Sequence, residues 1–316
     1  MTKHHLLEGV ICALGAGLAW GLVFIAPLLL ADYPPAMLSC GRYLAFGVIA
    51  VPLALHDLRG LQAMTRKDWG VAFELALVGN IIYYFCLSAS IQLADVPLPT
   101  VLIGTLPVVI AIASNWREGT LPWRRLLPSL LVASLGIALV NQAELAYQNS
   151  WRAAQDYFLG GVFGVCAVAA WTWYPIRNSQ WLKLRPQISA ATWATAQGLA
   201  SMPLAACGLV AAAVWFAAAS PGAGNDFPLG PRPGTFIAVM LVLGLVASWL
   251  GTVLWNRASR LLPTVLAGQL IVFETLAALT YGFLWRDSLP GADVLAGVFL
   301  LVTGVILGVR AFHRGS

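Results

Sequence analysis

Apolar residues run along this chain in stretches of about twenty, each ended by a short cluster of proline, glycine or charge. A helix rises 1.5 Å per residue, so about 20 apolar residues cross a hydrocarbon layer of about 30 Å. On that rule the pattern predicts spans at 7–30, 35–55, 69–91, 96–115, 122–142, 158–178, 188–218, 235–257, 262–284 and 289–310. Tight links fall at Asp32–Pro35, Asp95–Pro97 and Arg260–Pro263, and the longest connections at Ala143–Tyr157 and after Ser220. The expected fold is an all-α integral membrane protein of ten transmembrane helices.

Composition agrees. Of 316 residues, 59% are hydrophobic and only 10% charged, with mean hydropathy +0.80. A soluble domain carries about 25% charge, so this chain has too little to cover a water-facing surface. The net charge of +5 is then no sign of a nucleic-acid partner, since basic residues in such chains gather in cytoplasmic loops. Fourteen Lys and Arg residues lie on the side that carries the termini, against Arg152, Arg232 and Arg286 on the other. Both termini are therefore expected in the cytoplasm. Arg42 belongs to neither group because it lies inside the second span. The five cysteines all sit in apolar stretches without a CxxC pair, which points to neither zinc nor a disulfide framework. The first stretch has no small-residue cleavage site and reads as an uncleaved helix.

The chain also repeats itself. "LPTVLIGTLPVV" from Leu98 and "LPTVLAGQLIVF" from Leu262 share eight of their first eleven positions, 164 residues apart. At an offset of 151, Ala19-Trp20 matches Ala170-Trp171, Pro35 matches Pro186, Gly47 matches Gly198 and Pro52 matches Pro203. The loop after Ser220 absorbs the thirteen-residue difference. The unit is five helices, dividing the chain into 1–148 and 149–316 as two repeats of one membrane domain. Five is odd, so the second copy enters the membrane inverted, an arrangement typical of secondary transporters with a site near the midplane.

These features resemble the drug/metabolite transporter superfamily, in its EamA-like ten-helix branch. The resemblance rests on Trp20 and Trp171 in the first helix of each repeat, the short links before Pro97 and Pro263, Pro107 in the fourth helix, and the turns at Arg117–Gly119 and Arg286–Ser288. Where the family often reads Glu-Pro in the ninth helix, Glu274 is followed by Thr275, which leaves the expected kink open. Within the superfamily the aromatic richness is most similar to bacterial aromatic amino-acid exporters of the YddG type. The resemblance implies export from a bacterial cytoplasm across the inner (plasma) membrane.

Polar positions inside the spans mark a candidate site. Asn80, Tyr84, Ser88 and Gln92 recur every four residues, as do Ser248, Thr252 and Asn256, and adding 164 to Tyr84, Ser88 and Gln92 lands on the second set. Residues four apart share a helix face. Lipid offers such groups no partners, so they line a cavity or join helices by hydrogen bonds. Most of the thirteen tryptophans, Trp255 included, lie near span ends and read as an interfacial belt. Trp20, Trp171 and Trp249 lie deeper, and Tyr83 and Tyr84 stand beside the polar stripe. They are either packing or the walls of a pocket for flat apolar groups or cations. Gln269, on the ninth span, completes the binding candidates.

Glu274 falls near the middle of the ninth span, where a charged carboxylate costs about 2.5–3.5 kcal/mol. Three readings stay open for it: a proton carrier, an anchor for a substrate ammonium, or a paired structural group. Arg42 is either its partner or the site of a substrate carboxylate. Small-xxx-small pairs such as Gly17/Gly21 and Gly160/Gly164 read as helix crossings. No phosphate-cradling GxxxxGK[ST] run is present, and all four histidines lie in loops or near the termini, so neither an ATPase nor an enzyme is expected. No cofactor and no metal is expected. The partners are a small-molecule substrate and the lipid bilayer, and a monomer is compatible with the sequence. The leading expectation is a secondary transporter exporting small organic solutes, amino acids including aromatic ones first, by alternating access. The alternative is a drug or lipophilic-cation exporter coupled to protons.

Overall fold

The computed structural model describes residues 3–94, 97–118, 122–145, 152–219, 229–285, 287, 289 and 291–313. All regular structure among them is helical. In chain order the rods are α1 (His4–Leu29), α2 (Pro35–His56), α3 (Arg66–Ala94), α4 (Pro97–Gly104 with Leu106–Glu118), α5 (Trp123–Leu145), α6 (Arg152–Leu184), α7 (Ala190–Ala219), α8 (Pro233–Leu261), α9 (Thr264–Trp285) and α10 (Ala292–His313). Seven of them (α1, α2, α3, α6, α7, α8 and α9) contain stretches long and apolar enough to cross a membrane. The chain is a multi-pass membrane protein. Leu7, Leu55, Leu131, Val210 and Phe299 are all more than half exposed, as lipid-facing side chains would be.

Local chemistry explains the ends. Pro35 and Pro233 open α2 and α8 at positions where the missing N–H costs nothing. Thr65 and Asp68 form a capping box at the start of α3, each side chain bonding the other's backbone amide. Arg185 binds both residues of that cap, with Nε 3.0 Å from Asp68, and so ties the α6–α7 link to α3. The α6 rod is longer than the predicted span, because polar residues at both its ends continue the helix.

Several rods are not straight. α1 tightens to a 3-10 turn at Leu22–Phe24, just before Pro27. α4 breaks at Thr105, two residues before Pro107. α9 breaks at Ile271, so the missing proline after Glu274 does not leave it straight; the interruption falls one turn earlier. α3 and α8 each carry a π-helical segment, at Ala76–Ile82 and Leu243–Leu250.

Packing comes in matched sets. α1 packs on α8 and α9, while α6 packs on α3 and α4. α2 packs on α8, and α7 on α3. Three remaining pairs are α2 with α7, α4 with α9, and α5 with α10. Glycine sets the closest crossings. A Cβ on Gly17 would stand 2.9 Å from the Glu274 amide, and one on Gly21 2.6 Å from Ala277. The turns at Arg117–Gly119 and Arg286–Ser288, the repeat boundary near 149 and most of the segment after Ser220 lie partly or wholly outside the described residues.

Candidate functional site

Rods α1, α2, α3, α6, α8 and α9 meet in one buried cluster of aromatic and charged side chains. Its floor is a stack of three rings. Tyr83 from α3, Trp171 from α6 and Tyr174, one turn further along α6, lie with centroids 4.5 and 4.8 Å apart and planes within 17° and 5°. Trp20 from α1 meets Trp171 edge-on at 5.0 Å. Such arrangements suit ring quadrupoles and are stiff, since each ring has only two side-chain torsions.

Glu274 enters from α9. It sits in the first turn of the segment Val272–Trp285, the end of a helix that favours a negative charge. Its side chain is 1% exposed. The Tyr83 hydroxyl donates to its Oε1 at 3.3 Å, and its Oε2 has no hydrogen-bond partner. Trp171 lies beside the same carboxylate, with its indole N–H outside hydrogen-bond geometry.

Arg42 enters from α2 and is 4% exposed. Its guanidinium lies over the Tyr84 ring at 4.5 Å and the Tyr43 ring at 4.8 Å, so two π faces supply what a carboxylate would elsewhere. Its Nε donates to Ser248 at 2.9 Å, while Nη1 has no partner. No contact within 4.0 Å joins Arg42 to Glu274, so they do not form the ion pair that was one option for them. A buried guanidinium and a buried carboxyl thus face the same cluster, each with one polar atom free. The Ser88 hydroxyl, fully buried, also has no partner.

The structure brings together Trp20, Tyr83, Tyr84, Ser88, Trp171, Ser248, Glu274 and Arg42. It divides the other candidates. Asn80 donates to Ser201 on α7. Thr252 lies beside the Tyr174 hydroxyl. Trp249 is only half-buried and donates to Thr195, because one residue beyond Ser248 turns it about 100° around α8, towards α7. Gln269 donates to Ser129 on α5, at the far side of the α9 break. Gln92 is spent on the Tyr33 carbonyl. Trp255 is a correction: it is 2% exposed and lies 5.4 Å from Trp20 in the core, because α8 turns it inward rather than to the membrane surface.

Sequence reasoning missed Tyr43 and Tyr174, and a second polar group behind the rings. There Tyr174 donates to Gln197 at 2.8 Å, Trp193 and Gln197 donate to Asn178, and Asn178 donates to Asn256 at 2.9 Å. Asn256 closes the chain on the Ala190 carbonyl. Close spacing of amides in α6 and α7 was the available signal. A separate apolar cleft of about 550 Å³ shares α3 with the cluster and is lined by Pro35, Phe85, Ala89, Phe163, Ala212 and Trp215, among others. Among the described residues no group of three or more His, Cys, Asp and Glu stands close enough to hold a metal.

Comparison with known proteins gives the family. Residues 7–142 match the EamA-like transporter family. The inner membrane protein YtfF of Escherichia coli K12 is 44% identical over 312 residues, covering 97% of this chain and 96% of its own. An uncharacterized transporter of Synechocystis, sll0355, is 25% identical over 138 residues, 42% of this chain and 40% of its own. One crystal structure superposes with a TM-score of 0.71 at 15% identity, covering 97% of this chain and 98% of that one, a likeness in fold alone. A helical membrane fold, a family match over residues 7–142 and a relative 44% identical over nearly its whole length agree: the chain belongs to the EamA-like transporter family.

Proposed function

We propose that the protein is a secondary transporter that exports amino acids, aromatic ones included, from the cytoplasm across a bacterial inner membrane. The observation that carries this reading is the unpaired charge couple. Arg42 Nη1 and Glu274 Oε2 are buried, free of partners and set around one group of aromatic rings. An α-amino acid offers a carboxylate to the first, an ammonium to the second and an apolar or aromatic side chain to Tyr83 and Trp171. Burying each charge unpaired costs several kcal/mol, a cost that binding a zwitterion would offset.

The architecture assigned to this function is ten spans in two inverted five-helix repeats, residues 1–148 and 149–316, with both termini cytoplasmic. The matched packing of α1 on α8 and α9, and of α6 on α3 and α4, supports it. So does the fourteen-to-three bias of basic residues. The inner-membrane location is supported by the name of the YtfF relative. Alternating access then amounts to rocking of one repeat against the other about this cluster, with the broken α9 and the π segments as the places that give.

A second reading is a lipophilic-cation exporter coupled to protons. The aromatic stack beside Glu274 favours it. Arg42 opposes it, because a cation held at Glu274 would meet a buried guanidinium with no anion of its own.

The deciding experiment is counterflow into proteoliposomes of labelled phenylalanine or tryptophan against a labelled lipophilic cation, with and without a pH gradient. Saturable amino-acid flux supports the proposal. Gradient-driven cation flux with no amino-acid flux overturns it in favour of the second reading.

A further inference from the structure

Trp20 and Trp171 echo each other along the sequence, yet their indole N–H groups end differently. Trp20 lies against Gly251, where an added Cβ would stand 2.8 Å from the indole nitrogen. That approach lets it donate to the Ala247 carbonyl at 2.9 Å. The carbonyl is available because the Gly251 amide bonds to Ser248 and Val246, skipping Ala247 as a π turn does. In α3 the Tyr83 amide bonds to Asn80 and Val78, skipping Gly79. Tyr83 therefore holds the place in its bulge that Gly251 holds in the other. A phenol ring stands where α8 has only a hydrogen. Trp171 stacks on that ring instead of reaching backbone, and its buried N–H is left beside Glu274 without a partner.

We propose that Trp171 is a positioning residue for Glu274. Its N–H and the Tyr83 hydroxyl steady the carboxylate from one side, leaving Oε2 to take the ammonium of the solute, while Trp20 serves the fold alone. This assignment rests on the reading of Glu274 as the ammonium site. A buried indole N–H without a partner, on a ring stacked against the tyrosine that donates to Glu274 Oε1, is the observation behind it. Closing of the site around a solute then brings the indole N–H onto Oε1 beside the Tyr83 hydroxyl, which keeps Oε2 for the ammonium.

The test uses the full chain in proteoliposomes and three competitors of labelled phenylalanine uptake: unlabelled phenylalanine, phenethylamine (ammonium only) and 3-phenylpropionate (carboxylate only). Trp171→Phe keeps the ring and removes the donor. It is expected to weaken phenylalanine and phenethylamine about tenfold, the size of one hydrogen bond to a charged group. Competition by 3-phenylpropionate should stay within about twofold, whatever the smaller ring costs in Tm. Trp20→Phe should lower Tm and leave the ranking of the three competitors as it was. Equal weakening of all three by Trp171→Phe, weakening of none, or the same pattern from Trp20→Phe overturns the proposal. Glu274→Gln separates the two levels. If it spares phenethylamine, or if the unaltered protein binds none of the three, the reading of Glu274 itself fails. If it abolishes phenethylamine competition while Trp171→Phe does nothing, only the positioning role fails.

Discussion

Two buried polar regions lie on either side of Tyr174, and they are built on opposite terms. Behind it, every side-chain nitrogen and oxygen of Asn178, Trp193, Gln197 and Asn256 takes part in a hydrogen bond, with one another, with Tyr174 or with backbone. In front of it, Arg42, Ser88, Trp171 and Glu274 each keep one polar atom unused. A satisfied buried network holds helices together, because breaking it strands its members. An unsatisfied one costs stability and persists where something else completes it. Tyr174 belongs to both, with its ring on Trp171 and its hydroxyl on Gln197.

That contrast can be broken by experiment. Arg42→Gln or Glu274→Gln should cut transport about a hundredfold, the scale of losing one buried charged contact. Tm should hold for Glu274→Gln, which keeps an acceptor for the Tyr83 hydroxyl. A large fall in Tm with transport intact would reverse the roles of the two regions. Asn178→Ala should do the opposite. It strands Trp193, Gln197 and Asn256, and a thermal melt should show a loss of about 2–3 kcal/mol while solute affinity of the folded protein is kept. Ser88→Ala should raise stability by up to about 1 kcal/mol, since the hydroxyl it removes has no partner. A fall in Tm would mean that the hydroxyl is bonded after all. The smallest effect belongs to the surface. The Arg232 guanidinium, through its hydrogen bond, holds the Asp32 carboxyl below its ordinary 3.8. With the folded value depressed, the tie is whole above about pH 4 and is lost as pH falls further. Hydrogen exchange at the Tyr33 amide, taken relative to its intrinsic rate at each pH, should lose protection only in strong acid.

Much of the cluster was legible in the sequence. Glu274 and Arg42 stand out because charges are costly inside an apolar run, and Trp171, Tyr84 and Ser248 because both halves carry a polar or aromatic residue at matching places. The same habit hid Tyr174, Asn178 and Gln197. At the offset of 151, the first two fall on Val23 and Pro27, so comparing the halves is blind to residues that one half alone possesses. Trp249 and Gln269 show the limit of depth as a guide. Both lie deep along their helices, but a change of one residue in register, or a break at Ile271, turns a side chain to another neighbour. Helix rotation is not written in a list of apolar runs.

The two π segments carry a consequence for register. A π turn accommodates one more residue than the α turn it replaces, so each is a phase shift of about 100° between the two ends of its rod. The polar stripes match at an offset of 164, whereas the skipped carbonyls, Gly79 and Ala247, match at 168. The shift has thus moved one helical turn along the rod between the halves. Deleting one residue from Leu243–Leu250 would restore an even winding and rotate Thr252 and Asn256 off their face together, a frame error inside a folded chain.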